Sequence, residues 1–312
     1  MHIVFYGAGG IGGYFGARLL AAGADVSFVA RGRQAQAMRE HGLRVKSPLG
    51  DLQVAAPSIS DDPAVLPPAD LVVFAVKMPD AEAAAGRSRP LLKPGTVVLP
   101  LQNGVEIVDV LSAAIGPAPV ALGTAHIPVK IAEPGVIEHT GSYAALRFGP
   151  LQVAQRPVLE AFAAVCERAK IQAELVDDVR RAMWEKFVFL VGMSSLTALT
   201  RLPIGVVRAD PELRRLLQQV MDETAALARA EGVALPDDFV AKQMASVDGL
   251  PAQAKASMAN DLDAGRPLEL PWLAGAVVRR SARVGLPASA SRFVAAALGP
   301  YAKGAPAAGA AR

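Results

Sequence analysis

The chain has 312 residues, long enough for two domains that each bury a core. Lysine plus arginine exceed aspartate plus glutamate by 32 − 29 = 3, and the excess is scattered rather than blocked, which excludes no small anion but argues against nucleic acid or a polybasic membrane contact. The single cysteine, Cys166, rules out a disulfide within the chain, and the four histidines (His2, His41, His126, His139) lack metal-ligand spacing.

The N-terminus runs straight into the apolar residues 3–6, which read as a strand. No stretch ahead of that strand has the make-up of a signal peptide, so a soluble, reduced, cytoplasmic setting is expected. Gly7-Ala8-Gly9-Gly10-Ile11-Gly12 follows at once and opens a helix-like stretch that Gly23 stops; residues 24–30 read as a second strand. A G-x-G-x-x-G string is weak alone and strong between a strand and a helix in a short β-α-β unit, where it implies a dinucleotide cradle. Gly7 then permits the tight turn, Gly9 lets the backbone approach the pyrophosphate, and Gly12 lets helix pack on strand. Gly10 and Ile11 open the helix, whose free N–H groups and partial positive charge favour phosphate. An NAD site carries Asp or Glu after the second strand; this chain has Arg31, then Gly32 and Arg33. A guanidinium grips a 2′-phosphate with two charge-assisted hydrogen bonds or stacks on adenine, so NADP(H) is expected. The plain alternative, ordinary surface charge, suits Arg33 better than Arg31.

Residues 71–76 and 96–101 are continuous apolar runs, the pattern of parallel strands buried on both faces. Lys77 and Asn103 lie at their carboxyl ends, where doubly wound sheets bind ligands. Asn103-Gly104 reads equally well as a turn pair. Residues 118–126 and 136–148 read as strands, 156–169 as an amphipathic helix that buries Cys166, and 172–175 as a short strand. From residue 179 helix patterns dominate: 179–200, then 213–231 behind an Asp210 cap and Pro211, then 252–264 and 271–284. The expected fold is an α/β Rossmann-like parallel-sheet domain, residues 1–177, followed by an all-helical domain, residues 178–302, with the active site in the cleft between them. Residues 303–312 are too rich in Ala, Gly and Pro to build a core and are expected to be disordered. The uncharged apolar stretch 187–200 is shorter than the roughly 20 residues that a bilayer span needs.

Lys186 stands in a helix that is apolar nearly all round. Its ammonium either snorkels to water or reaches the cleft, where it would polarise a carbonyl and protonate the forming alkoxide. Glu269 either favours the N-terminus of the last helix or pairs with a cleft lysine. Ser257 is a helix serine, more often an inert residue than a ligand contact.

These residues together resemble the ketopantoate reductase (2-dehydropantoate 2-reductase) family. The likeness runs through the glycine loop, Val29-Ala30-Arg31, Ala75-Val76-Lys77 and Leu101-Gln102-Asn103-Gly104-Val105. It continues through Glu133-Pro134-Gly135-Val136, Trp184-Glu185-Lys186, Leu196-Thr197-Ala198-Leu199, and Ser257-Met258 with Glu269. The resemblance implies NADPH-dependent reduction of the C2 ketone of ketopantoate, a step toward pantothenate and coenzyme A. It makes Lys186 the catalytic acid, Glu269 its orienting partner, Ser257 a substrate contact, and Asn103 and Lys77 contacts from the cofactor domain. One departure stands out. Family members carry asparagines four and eight residues after the lysine, and here those positions are Leu190 and Ser194. Losing a hydrogen-bonding amide changes what such a site prefers, so a more apolar 2-keto acid stands beside ketopantoate as substrate. A non-catalytic NADP-binding regulator is the reading from another class; it would need neither Lys186 nor Glu269. Monomer and homodimer both stay open.

Overall fold

A computed structural model of the protein describes residues 1–305. The contacts divide it into two compact units, residues 1–102 with 107–182, and residues 103–106 with 183 onward. The sequence puts the boundary near Asp177; the division falls after Ala182, inside a helix.

The first unit comprises β1 (His2–Tyr6), α1 (Gly10–Ala21), β2 (Asp25–Val29), α2 (Gly32–His41), β3 (Leu43–Lys46), β4 (Leu52–Val54), β5 (Ser58–Ser60), β6 (Ala69–Phe74), α3 (Met78–Arg87), β7 (Leu92–Pro100), α4 (Ile107–Ile115), β8 (Leu122–His126), β9 (Val129–Glu133), β10 (Val136–His139), β11 (Ala145–Gly149), α5 (Arg156–Arg168) and β12 (Gln172–Leu175). Its centre is an all-parallel sheet in the order β5-β2-β1-β6-β7. The chain leaves β1 for β2 on one side and returns to β6 on the other. The carboxyl ends of β1 and β6 are thus the switch point where such a sheet binds ligands. Ile3, Val4, Phe5, Leu71, Val72, Val73 and Phe74 are fully buried, which is why these strands read as unbroken apolar runs. Helix α1 lies close over β1 and β2 because a Cβ at Gly16 would collide with the rings of Phe28 and Phe5.

Smaller sheets complete this unit, one in the order β4-β3-β10-β9 and one in the order β12-β11-β8. The run 136–148 is therefore not one strand. It is β10 and β11, in different sheets, parted where Thr140 donates its N–H to the Pro128 carbonyl at 3.0 Å and Gly141 packs on the Pro128 ring. The run 118–126 is extended only from Leu122, apart from a bridge between Val120 and Val98.

The second unit contains α6 (Val179–Thr200) from Met183 on, α7 (Ile204–Ala209), α8 (Pro211–Ala230), α9 (Phe239–Asp248), α10 (Ser257–Asp263), α11 (Ala274–Arg283) and α12 (Ser289–Leu298), with no strand among the described residues. Asp210 caps α8, accepting from the N–H groups of Glu212 and Leu213 at 2.9 Å. From within α8, Glu223 caps α12 through the N–H groups of Ala290 and Ser291 at 2.8 and 2.9 Å.

Two of the expected helices are shorter than their sequence patterns. Residues 252–256 stay out of α10 because the carbonyls of Ala252 and Ala254 receive the N–H groups of Gly205 and Ile204, at the start of α7. The last pattern opens as a 3-10 turn, Leu270–Trp272, and becomes α-helical only at Ala274 because the backbone breaks at Leu273 (φ −106°, ψ −104°). At 22 residues α6 is long and apolar enough to cross a bilayer, so 187–200 understated it. Of its most apolar window 72% is buried in the protein, as in a core helix. Of the tail expected to be disordered, residues 303–305 are described, and Ala305 donates its N–H to the Gly265 carbonyl at 3.1 Å; the remainder, 306–312, lies outside the described residues.

Candidate active site

Two groups of residues carry chemistry, one in each unit. In the first unit the glycine loop joins β1 to α1. Gly7 has φ +109°, and a Cβ there would stand 2.9 Å from the backbone of Ala75 and Val76, just beyond β6. Gly12 is needed for the loop itself, since a Cβ would strike the Gly7 carbonyl oxygen. Gly12 thus brings the start of α1 close to the ends of β1 and β6, and Gly16 brings the next turn close to Phe5 and Phe28. At Gly9 a Cβ would meet nothing within 4 Å, so the backbone there borders open space. Gly9 is also the N-cap of α1 and has no side chain to satisfy the first N–H groups, which include those of Gly10 and Ile11. An open, uncapped helix N-terminus at a switch point suits the pyrophosphate of a dinucleotide.

Arg31 follows β2 and forms an ion pair with Asp80 at 2.6 Å; the two side chains are 69% and 49% exposed. That carboxylate raises the Arg31 pKa further, by hydrogen bonding and by charge. Lys77 follows β6, is exposed, and is the N-cap residue of α3. Gln34, on α2, escaped the sequence reading. Its Nε2 donates to the Ala8 carbonyl at 2.9 Å and its Oε1 accepts from the Gly135 N–H at 3.0 Å. The amide thus holds one peptide of the glycine loop, and nothing local to residue 34 signals it, because both partners are distant in sequence.

The second group lies wholly in the helical unit. Residues 103–106 come two residues beyond the end of β7 yet belong to this unit. Gly104 (φ +103°) packs against Trp272, with a Cβ there 3.0 Å from the Trp272 carbonyl oxygen. Val105 joins the helical core, and Glu106 receives Arg279 at 2.8 Å. Asn103 is held at the head of this segment. Its Oδ1 accepts from the Lys186 ammonium at 3.0 Å, and its Nδ2 donates to Glu269 Oε2 at 3.2 Å. One amide therefore bridges a cation and a carboxylate through the atom suited to each. Gly104 thus supplies the positive φ that a turn pair needs, while the Asn103 side chain joins the polar cluster.

Glu269 makes no side-chain cap to the turn that follows it; it faces Asn103 and its charge acts on Lys186. Lys186 is half-buried. Loss of hydration lowers its pKa from the ordinary lysine value to about 8, and the negative charge of Glu269 opposes that fall. An ammonium so tuned is mostly charged near neutral pH and gives up its proton readily, as a general acid must.

Along α6, Leu190 and Ser194 follow Lys186 at four-residue spacing and share its face. Leu190 packs on the helical core. Ser194 is buried, and its hydroxyl finds no hydrogen-bond partner among the described residues. Ser257 is the exposed first residue of α10, and no hydrogen bond joins it to Lys186, Asn103 or Glu269 among the described residues. The structure thus brings Lys186, Asn103 and Glu269 together, with Ser257 not hydrogen-bonded to them.

The family described as ketopantoate reductase PanE/ApbA matches residues 3–152, and its C-terminal counterpart matches residues 178–302. A 2-dehydropantoate 2-reductase of Halobacterium salinarum is 33% identical over 90% of this chain and 92% of its own length. A structure described as a PanE/ApbA family ketopantoate reductase from Ralstonia eutropha superposes with a TM-score of 0.87 at 34% identity, covering 97% of this chain and 98% of the other. The 2-dehydropantoate 2-reductase of Geobacter metallireducens superposes with a TM-score of 0.89 at 30% identity, covering 96% and 99%. A D-mandelate dehydrogenase, 20% identical, shares the fold at a TM-score of 0.88 over 97% and 98%. By sequence along nearly its whole length and by fold, this chain belongs to the ketopantoate reductase family of oxidoreductases.

Proposed function

We propose that the protein reduces a 2-keto acid with NADPH, and that 2-dehydropantoate is its substrate on the route to pantothenate and coenzyme A. The observation that carries this reading is the Lys186–Asn103–Glu269 cluster, three polar side chains from distant segments joined at 3.0 and 3.2 Å around a lysine whose pKa is about 8. Mere cofactor binding needs no such cluster.

Gly7, Gly9, Gly10, Ile11 and Gly12 would hold the pyrophosphate, Arg31 the 2′-phosphate, and Lys77 and Asn103 the neighbouring hydroxyls. When bound, the reduced nicotinamide supplies a hydride to the ketone carbon. Lys186 stabilises the negative charge that develops on the carbonyl oxygen and delivers its proton there. Asn103 fixes the direction of the ammonium through its Oδ1, and Glu269 keeps the lysine charged enough to serve. Ser257, Leu190 and Ser194 border the substrate in this reading. A small soluble substrate and a cytoplasmic setting accord with it, as does the burial of α6.

One observation favours a second substrate. Leu190 offers an apolar surface one turn from Lys186, so a 2-keto acid with a more apolar side chain would lose nothing there. The test follows NADPH oxidation by absorbance against a panel of 2-keto acids that includes ketopantoate. Turnover is expected on ketopantoate or on a closely related, more apolar member. NADPH binding without turnover on any member would overturn the enzymatic reading and leave a non-catalytic NADP-binding protein.

A further inference from the structure

Arg31 does not stand alone at the end of β2. The carboxylate of Asp80, from the first turn of α3, meets its Nη2 at 2.6 Å. The backbone places both groups at the switch point. β1 and β6 are neighbours in the sheet; β2 flanks β1 and delivers Arg31, while β6 delivers Asp80 four residues after Val76. The pair is 69% and 49% exposed, so it is not locked by burial, and surface pairs of this kind exchange partners at little cost.

We propose that Asp80 is a second specificity-determining residue, one that reads the same 2′ position of the adenosine ribose as Arg31 and opposes it. The inference rests on the NADPH reading above. A 2′-phosphate brings close to two negative charges to Arg31, and so to a guanidinium that already shares its charge with a carboxylate. Asp80 must be displaced from Nη2 or must stand beside the phosphate, and either weakens the hold on NADPH. A 2′-hydroxyl meets the opposite situation, because a carboxylate accepts its hydrogen bond. The Arg31–Asp80 pair is thus a two-part selector: the cation favours the phosphate, the anion favours the hydroxyl, and their balance sets the preference between NADPH and NADH. A lone arginine at this position would select more steeply.

Equilibrium binding of NADPH and NADH, measured by calorimetry on the wild type, Asp80→Asn, Asp80→Ser and Arg31→Ala, tests this. Removing the carboxylate charge should tighten NADPH about fivefold, as expected for one exposed like charge a few ångströms away, and leave NADH equal or weaker. Raising the salt concentration should shrink that gain. Asp80 is half-exposed, so both variants should keep the wild-type melting temperature. If both bind NADPH more weakly, Asp80 only orients Arg31 and the proposal fails; it fails equally if neither affinity changes. The outcome that sinks the cofactor reading is separate: a wild type with no preference for NADPH and an Arg31→Ala variant that binds both cofactors like the wild type.

Discussion

The glycine loop and the Lys186 cluster solve binding problems with opposite materials. The loop, residues 7–12, is built from backbone, and its tightest glycines matter for what they lack: a Cβ at Gly7 would press on Ala75 and Val76, and one at Gly12 would strike the Gly7 carbonyl. The cluster is built from side chains, contributed by residues 103, 186 and 269 and joined only in the folded helical unit. A backbone site depends on sterics and survives changes of charge. A side-chain site depends on charge and survives small changes of shape. Substitutions should therefore separate the two, cofactor affinity failing with one and the chemical step with the other.

The largest effect belongs to Lys186. Lys186→Ala removes both the charge stabiliser and the proton donor, and should lower kcat by about two to four orders of magnitude. The dissociation constant for NADPH, measured by fluorescence titration, should stay within about twofold of the wild type, since a loss confined to the transition state leaves cofactor binding intact. Equal kcat in variant and parent would remove Lys186 from the mechanism.

Gly12→Ala should do the reverse. The added methyl must displace the Gly7 carbonyl or the start of α1, at an overpacking cost of about 1–3 kcal/mol. The melting temperature should fall and NADPH binding should weaken by about tenfold or more, a loss of the order that overpacking of this size would bring. Enzyme that still holds NADPH should turn over at near the wild-type rate. A variant with normal cofactor affinity would show that the loop does not cradle the dinucleotide.

The same contrast explains what could be read from the sequence. The loop, β1, β6 and the division into sheet and helices are local patterns, and local patterns survive in a linear chain. The glycines, the buried runs and the Asp210 cap were legible for that reason. Several short strands were not. β3, β4, β5 and β9 have 3 to 5 residues each, too few to carry a period. The starts of α10 and α11 differ from the sequence pattern, the first because the distant N–H groups of Ile204 and Gly205 take the carbonyls ahead of it, the second because the backbone breaks at Leu273. Lys186 and Glu269 could be paired through the family resemblance and Asn103 singled out beside them; that the Asn103 amide lies between the other two is a tertiary fact. Gln34 and Asp80 were invisible for the same reason.

A smaller effect tests how the cluster is tuned. If Lys186 is the acid, it must be protonated, so kcat/KM should be level below pH 8 and fall as pH rises through about 8. The charge of Glu269 raises the lysine pKa. Glu269→Gln removes that charge and leaves desolvation unopposed, so the alkaline limb should move to lower pH. Activity at pH 6 should then be less impaired than activity at pH 8. A limb that stays in place, or moves up, would mean that Glu269 does not set the protonation of Lys186.

The smallest effect concerns the substrate. Leu190 shares the Lys186 face of α6 and packs on the helical core; on the reading proposed above it would border the reacting carbonyl and offer it no hydrogen bond. An amide there would distinguish a substrate hydroxyl from its absence, because an unpaired buried amide costs about 1–3 kcal/mol while a leucine loses nothing. The wild type should therefore treat ketopantoate and an analogue lacking its terminal hydroxyl alike, within a few-fold in kcat/KM. Leu190→Asn should widen that ratio in favour of ketopantoate by about tenfold, the mid-range of such a penalty. The buried, unpartnered hydroxyl of Ser194 lies one turn further along the same face. If the wild type already discriminates strongly, Ser194→Ala is the variant that should abolish the discrimination, and the hydroxyl would then have taken over the contact that Leu190 cannot make.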